Sequence, residues 1–263
     1  MHSNELSLYL SQFLTERRLN LINRVVSQRS RYLTVLLEDI FQSQNASAIV
    51  RSCECCGVQE VHVVEDTNPL RYNPLVLRGS DRWMEIFRHT SGLTTQQASE
   101  QASEQATQQG SEQGSGHAAE YALNHVSALD GAITTLRERG YRIVAATPDA
   151  NGSDVEGFDL EAGPFALVFG NERRGVSARL IAQADAFVKI PMYGFTESFN
   201  VSVSAGILLS RFAFRLRASQ LPWQLSEFET ERLRLEWIKQ SLRDPEGLIK
   251  RFYAERPPRE VST

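Results

Sequence analysis

The stretch LTVLLEDIFQSQNASAIVRSCECCGVQEVHVVED (Leu33–Asp66) reads as a strand, a helix and a second strand. The first part, Leu33–Ile40, is a continuous apolar run that ends in acids, as expected of a buried parallel strand, and Val58–Asp66 is predicted as the next strand. Between them, Asn45 can cap a helix and Gly57 can end it, so a helix is predicted over Asn45–Gly57. A strand–helix–strand unit implies a right-handed crossover between parallel strands. The sequence therefore predicts an α/β fold built on a mostly parallel sheet.

The same alternation continues along the chain, which favours one sheet flanked by helices. The further predicted elements are a helix Tyr121–Arg139, a strand Tyr141–Pro148, a strand Pro164–Glu172, a short helix Ser177–Ala184, a strand Ala186–Met192 and a helix Ser198–Arg217. We accordingly divide the chain into an N-terminal helical extension (1–31), an α/β domain (32–217) and a C-terminal helical extension (218–263). The tail from Pro222 predicts one more amphipathic helix.

Residues 94–116 differ from the rest of the chain in composition. They consist almost entirely of Gln, Ser, Glu, Ala, Thr and Gly, with a loose repeat ASEQ, ASEQ, ATQQ, GSEQ. Such a segment has no apolar side chains with which to form a core, so we predict a disordered insertion at the surface.

Composition and charge indicate a globular protein and leave RNA binding open. The 263 residues carry a formal net charge of -4, without the polycationic character of many nucleic-acid binders. The start of the chain lacks the features of a secretory signal, and no apolar run is long enough to span a bilayer, so a cytoplasmic protein without a membrane partner is predicted. A solvated helix face and a phosphate-binding patch explain equally well the arginines near the N-terminus. These are Arg17, Arg18, Arg24, Arg29 and Arg31.

Common enzyme motifs are missing from the sequence. Neither a G-x-G-x-x-G dinucleotide fingerprint nor a Walker A loop nor a G-x-S-x-G elbow is present, which argues against hydride transfer, P-loop hydrolysis and serine-hydrolase chemistry.

The three cysteines, Cys53, Cys55 and Cys56, form a poor disulfide framework, as expected in a reducing compartment. Nothing near them has a recognised metal spacing, so we predict no metal site and thiols that are buried or half-buried on a helix.

Three polar clusters remain, each at the carboxyl end of a predicted strand, where open α/β sheets bind their ligands. They are Asn45 with Arg51, GNERRG (Gly170–Gly175) and IPMYGFTESFN (Ile190–Asn200). Each also has a structural explanation: Asn45 as a helix cap, Arg51 as a partner of Glu54 or solvent, and Ser198 with Asn200 as a second cap. Spacing alone does not identify a reaction.

The three clusters together resemble the motifs of the SpoU/TrmH family of the SPOUT methyltransferase superfamily. The matching segments are NASAIVR (Asn45–Arg51), LVFGNERRG (Leu167–Gly175) and IPMYGFTESFNVSVS (Ile190–Ser204). The third is highly specific, the first moderately so, and the second is weak alone. The resemblance implies a deep C-terminal trefoil knot, S-adenosyl-L-methionine bound within it, and two subunits that pack to complete the sites.

The resemblance also assigns expected roles to individual residues. Four positions would border the cofactor: Thr147, Gly170, Ile190 and Phe199. Five fall on catalytic or near-catalytic positions: Asn45, Arg51, Glu172, Ser198 and Asn200. The family proposal casts Arg51 as the base that takes the proton of a ribose 2′-hydroxyl, although a guanidinium stays protonated in proteins. Equally, Arg51 would hold the 3′-phosphate and stabilise the developing alkoxide while a phosphate oxygen or water accepts the proton.

The terminal segments resemble those of tRNA guanosine-18 2′-O-methyltransferases, which favours tRNA over ribosomal RNA. The expected reaction is methyl transfer to the ribose 2′-hydroxyl of guanosine 18 in the tRNA D-loop, and DNA is excluded because it lacks that hydroxyl. Two alternatives stay open: a methyltransferase of ribosomal RNA, and a catalytically silent SPOUT protein that only binds RNA.

Overall fold

The computed structural model describes residues 2–66, 68–91, 127–148 and 152–255. The predicted disordered insertion 94–116 and the first part of the predicted helix Tyr121–Arg139 lie outside the described residues. The chain divides into two compact units, one of which is Leu33–Leu221. The other joins the terminal segments, Met1–Tyr32 and Pro222–Thr263, which were predicted as separate extensions.

Within the described part of the chain, seven strands form one sheet in the larger unit. They are β1 (Leu33–Glu38), β2 (Glu60–Glu65), β3 (Glu85–Thr90), β4 (Arg142–Ala146), β5 (Ser153–Asp154), β6 (Phe165–Phe169) and β7 (Ala186–Lys189). Their order is β3-β2-β1-β6-β4-β7-β5, and every pairing is parallel. The predicted α/β class with a parallel sheet is confirmed.

Helices flank this sheet and make up the terminal unit. They are α1 (His2–Ser11), α2 (Glu16–Val26), α3 (Ser43–Cys55), α4 (Pro74–Leu77), α5 (Ala128–Glu138), α6 (Ala178–Ile181), α7 (Val201–Ala218), α8 (Glu227–Ser241) and α9 (Pro245–Glu255). A 3₁₀ turn, Ser80–Trp83, follows α4. In the larger unit, α3 packs against α7 and α4, while α5 packs against β2, β3 and β4.

The start of α3 differs from the prediction. The helix begins at Ser43, and its N-cap is Gln42, whose side chain makes no capping hydrogen bond. Asn45 is therefore inside the first turn and is not the cap. The sequence signal was misleading because the amide groups of Phe41 and Gln42 are bound by a carboxylate from a distant loop, Glu172. Gly57 does follow the helix with a φ of 78°, as expected of a helix stop.

Other elements depart from the prediction for similar reasons. Helix α7 begins at Val201 rather than Ser198, since Asn200 is its N-cap. The tail forms two helices instead of one, with a break between Ser241 and Pro245. Strand β3 was not predicted, because it lies at the sheet edge and its half-exposed sequence EIFRHT lacks the apolar run of a buried strand.

The centre of the sheet is apolar and fixes the position of the polar loops. All residues of β1 and β6 are buried. Because all the strands are parallel, the ends of β1, β6, β4 and β7 point to one edge of the sheet. The three polar clusters follow β1, β6 and β7, so they share this carboxyl edge, as predicted.

The terminal unit explains three of the five N-terminal arginines. Arg29 is buried with its guanidinium 5.1 Å from the ring centre of Trp237, and Arg31 Nε lies 3.2 Å from a carboxylate oxygen of Glu229. Arg18 Nε donates to Ser241 Oγ at 3.1 Å. Three of the five arginines therefore contact the helical unit itself, while Arg17 and Arg24 are exposed.

A buried histidine pair joins β2 to β3. His62 Nδ1 lies 3.0 Å from His89 Nε2, and the two rings are stacked. The fully buried Glu60 lies 3.7 Å from His62 Nε2 and accepts a hydrogen bond from Arg139. Burial, together with the charge of Arg139, lowers the pKa of His62 to about 4, and burial beside His62 lowers the pKa of His89 to about 4. Both rings are therefore neutral at pH 7.

We expect acid to destabilise the larger unit, which contains both histidines, as the pH falls from 6.5 towards 4. In the unfolded chain both histidines regain a pKa near 6.5, so unfolding takes up protons in this range. The free energy of unfolding then falls by about 1.4 kcal/mol per pH unit for each proton taken up. Urea unfolding at pH 7 and pH 5 should show a smaller loss for the variant His62→Leu with His89→Leu than for the wild type. Equal losses of unfolding free energy in the variant and the wild type would contradict the assignment of the acid effect to His62 and His89.

Candidate active site

Glu172 connects the first two polar clusters. Its carboxylate accepts hydrogen bonds from Asn45 Nδ2 at 2.9 Å, from the Phe41 amide at 2.8 Å and from the Gln42 amide at 3.0 Å. The second cluster thereby holds the loop before α3, and with it the helix that carries Arg51. The structure brings together two of the five predicted catalytic residues, Asn45 and Glu172.

The electrostatics of Glu172 suit an anchor better than a base. Partial burial pushes its pKa up, but the hydrogen bonds from Asn45, Phe41 and Gln42 outweigh burial and leave the pKa below its ordinary value. The group is therefore an anion at neutral pH whose oxygens are already bound by N–H donors. Such a carboxylate is a poor proton acceptor.

The loop Gly170–Gly175 is a tight turn in which the backbone of Gly170 passes close to the backbone of Gly175 and Val176. A Cβ on Gly170 would overlap the Gly175 carbonyl oxygen and the Val176 amide nitrogen, so only glycine fits there. Asn171 Oδ1 accepts from the Arg173 amide at 2.9 Å, and Gly175 has a φ of 69°. Asn171 Nδ2 also donates to the Asp39 carbonyl oxygen at 2.8 Å, which attaches the turn to the end of β1.

Arg51 is exposed on α3, about two turns after the helix begins at Ser43. Its Nη1 donates to the Val76 carbonyl oxygen at 3.3 Å. The guanidinium therefore keeps further N–H donors for a ligand, because it carries five in total.

Three of the predicted cofactor positions lie at the ends of adjacent strands. Thr147 follows β4, Gly170 follows β6 and Ile190 follows β7, and β4 pairs with both of the other strands. The Thr147 amide donates to the Val188 carbonyl oxygen at 3.1 Å, so the chain after β4 stays beside the end of β7. Phe199 is exposed in the loop that precedes α7.

The third cluster stands apart from the first two. Asn200 Oδ1 accepts hydrogen bonds from the amide and hydroxyl of Ser202 at 2.8 and 2.7 Å, so Asn200 caps α7. Ser198 is exposed and makes no hydrogen bond within the described residues. Neither residue forms a hydrogen bond with Arg51 or Glu172 in that part of the chain. The capping explanation of Asn200 is thus confirmed, while the catalytic role stays a prediction.

Several residues at this edge were missed. Asp39 has a φ of 49° and binds Asn68 through its carboxylate, at 2.7 and 2.9 Å. Glu38 is buried, and its Oε2 accepts from the Ser177 amide at 3.0 Å. The acids at the end of the first apolar run were visible in the sequence, but their partners lie in distant loops. The guanidinium of Arg173 lies 4.3 Å from the ring centre of Phe41.

The described residues contain no group of three His, Cys, Asp or Glu side chains arranged for a metal ion. In the same ranges, no helix has the length and apolar character to cross a membrane. All three cysteines are free thiols: Cys53 is buried and Cys56 is half-buried, as predicted, but Cys55 is exposed. Helix α3 ends at Cys55.

Comparison with known proteins assigns the family. A family model described as the SpoU rRNA Methylase family matches residues 82–210. The tRNA (guanosine(18)-2'-O)-methyltransferase of Borreliella burgdorferi is 34% identical over 235 residues, which cover 89% of this chain and 90% of that protein. The chain belongs to the SpoU methylase family. The resemblance inferred from the three motifs is confirmed.

Two further similarities extend over most of this SpoU methylase. The tRNA (guanosine(18)-2'-O)-methyltransferase of Thermus thermophilus is 31% identical over 74% of the chain and 81% of the relative. The crystal structure of the A. aeolicus TrmH/SpoU tRNA modifying enzyme aligns with a TM-score of 0.63 and 25% identity, covering 86% of the chain and 98% of that structure.

In this SpoU methylase, we expect Glu172→Gln to lower stability and activity together. The amide would turn an N–H donor towards at least one of the three donors that now face the carboxylate. Leaving a donor without its acceptor costs about 1–3 kcal/mol. Thermal unfolding and methyl transfer should be measured beside Glu161→Gln, which removes an exposed carboxylate elsewhere. Equal melting temperatures for the two variants would show that Glu172 does not anchor the loop.

Proposed function

We propose that the chain transfers the methyl group of S-adenosyl-L-methionine to the ribose 2′-hydroxyl of guanosine 18 in the D-loop of tRNA. The observation that carries this proposal is the 34% identity to the B. burgdorferi enzyme across 89% of the chain. That span exceeds the family-model match at 82–210 and also includes Asn45 and Arg51. We place the reaction in the cytoplasm.

The carboxyl ends of β4, β6 and β7 suit the proposed cofactor. Thr147, Gly170 and Ile190 lie on three neighbouring strands and offer backbone polar groups beside a mainly apolar sheet, which is the kind of lining that small-molecule sites have. When bound, the cofactor supplies an electrophilic methyl group on a sulfonium. Phe199 would cover it from the loop before α7.

We assign the role of Arg51 by its chemistry and surroundings. An exposed guanidinium with unused donors suits a phosphate next to the target ribose and the negative charge that develops on its 2′-oxygen. Asn45 and Glu172 are positioning residues, because they hold the start of the helix that carries Arg51. The proton then leaves to a phosphate oxygen or to water, since Glu172 is occupied by N–H donors.

The loop before α7 supports two further parts of the proposal. Tyr193 is 96% exposed, and Phe195 and Phe199 are also exposed. We propose that a second copy of the chain covers these aromatic side chains and that Ser198 and Asn200 shape the ribose pocket in this homodimer.

We also propose that the C-terminal part of the sheet forms a deep trefoil knot. This part of the proposal rests on the likeness of the three motifs to those of the SpoU/TrmH family.

A methyl-acceptor assay tests the substrate. The purified protein is incubated with labelled S-adenosylmethionine and, separately, with an unmodified tRNA transcript and with unmodified ribosomal RNA. We expect label in tRNA only. Methylation of ribosomal RNA alone would support the second candidate function, a ribosomal RNA 2′-O-methyltransferase. This candidate is favoured by the match to the SpoU rRNA Methylase family. Binding of tRNA with no transfer to either RNA would indicate a silent RNA-binding protein.

A further inference from the structure

The segment after β2 lies along the face of α3 that carries Arg51. Ser47 and Arg51 are four residues apart and therefore share one face of the helix. The Asn73 amide donates to Ser47 Oγ at 2.9 Å, and Arg51 Nη1 donates to the Val76 carbonyl oxygen at 3.3 Å. Residues 73–76 are thus attached to this face at two points.

Two arginines flank the attached residues. Arg71 comes two residues before Asn73, and Arg78 comes two residues after Val76. Both are exposed, and neither side chain forms a hydrogen bond or an ion pair within the described residues. By contrast, Arg82 stacks beside Trp83, and Arg88 binds Glu65. Arg71 and Arg78 therefore have unused guanidinium groups close to the proposed reaction centre.

The backbone of Arg78 adds an independent observation. Arg78 is the C-cap of α4 in the left-handed conformation, with a φ of 50°, and Asp39 is the one other non-glycine residue with positive φ in the described ranges. Glycine or asparagine adopts this conformation more readily, whereas other L-residues in it are destabilised by about 1–2 kcal/mol. A long cationic side chain thus occupies a position where local stability favours a short one.

We propose that Arg51, Arg71 and Arg78 form an arginine patch that binds consecutive phosphates of the tRNA backbone beside the target ribose. The inference rests on the proposed function. Guanidinium groups bind phosphate through paired N–H donors. The Cα atoms of residues 76 and 78 are at most about 7.6 Å apart, so Arg78 lies within side-chain reach of the place where Arg51 meets Val76.

The patch gives Arg71 and Arg78 a role different from that of Arg51. Arg51 acts on the reacting nucleotide, so its loss affects the methyl-transfer step. Arg71 and Arg78 hold the flanking backbone, so their loss raises the KM for tRNA and leaves the KM for S-adenosylmethionine unchanged. Phosphate contacts are independent of base identity, and their contribution weakens as salt increases.

The test uses Arg78→Asn, because asparagine suits the left-handed conformation and removes the charge. We expect an unchanged or higher melting temperature, a tRNA affinity about 3- to 10-fold weaker, and a salt dependence of log K that is shallower by about 1. Arg78→Lys should keep most of the salt dependence. Arg71→Gln combined with Arg78→Asn should reduce it by about 2.

The control is Arg137→Gln at the amino edge of the sheet, where α5 ends before β4. It removes one exposed charge together with an ion pair to Asp185 and a hydrogen bond to the Gln183 carbonyl oxygen, so its melting temperature is measured as well. It should leave tRNA affinity unchanged. If the wild type binds tRNA and Arg78→Asn binds equally well with the same salt dependence, the arginine patch is wrong while the proposed function stands. If the wild type itself neither binds nor methylates tRNA, the proposed function fails.

Discussion

Arg51→Ala should abolish methyl transfer while S-adenosylmethionine binding survives. The side chain is exposed on α3 and donates a hydrogen bond to the Val76 carbonyl oxygen. Truncation should therefore leave the fold intact. Removing a donor that stabilises developing negative charge costs about 10²–10³-fold in kcat, and losing a phosphate contact adds to this. Single-turnover methylation measures the loss, and calorimetry with S-adenosylmethionine measures cofactor binding.

The variant Arg51→Lys separates charge from geometry. Lysine keeps one positive charge but loses the planar pair of donors, so we expect a rate between those of Arg51→Ala and the wild type. Arg137→Ala removes an exposed arginine at the amino edge of the sheet, with its contacts to Gln183 and Asp185, and should keep the wild-type turnover. Turnover of Arg51→Ala near the wild-type rate would overturn the role assigned to Arg51.

Gly170→Ala should have the largest effect on stability. A methyl group at this position would overlap the backbone of Gly175 and Val176, and neither is a flexible side-chain end that can move aside. Overpacking of this kind costs about 1–3 kcal/mol or more. The turn would have to open, which would disturb the hydrogen bonds of Asn171 and Glu172 to the end of β1 and the start of α3.

The matched control is Gly194→Ala. Gly194 lies in the loop before α7, where an added Cβ meets no atom within 4 Å. We expect Gly170→Ala to melt several degrees lower than Gly194→Ala and to bind S-adenosylmethionine more weakly than the wild type. If both variants melt like the wild type, the turn is not as closely packed as the structure shows.

The sequence predicted the fold where local patterns are sufficient. The apolar runs of β1, β2 and β6 and the stop at Gly57 determined the parallel sheet, because buried strands and helix ends have local signals. The sequence did not predict β3, because its residues lack a regular apolar pattern and the strand is held by its pairing with β2. The prediction also failed at the start of α3, which depends on Glu172, a residue about 130 positions away.

The candidate site was predicted in part for the same reason. Arg51 and Glu172 could be singled out from motifs, but the hydrogen bond between Asn45 and Glu172 joins loops that only the sheet brings together. Arg71 and Arg78 carried no sequence signal, because one arginine in a polar loop resembles any other. Their significance comes from the contact between Val76 and Arg51 and from the left-handed backbone of Arg78.

The most direct test of the central claim is to locate the methyl group on tRNA. An unmodified transcript and a matched transcript with 2′-deoxyguanosine at position 18 are incubated with the protein and S-adenosylmethionine, and the products are mapped by nuclease digestion and mass spectrometry. We expect a single 2′-O-methylguanosine at position 18 of the first transcript and none in the second. Methylation of a base, of another nucleotide or of the deoxy transcript would contradict the account.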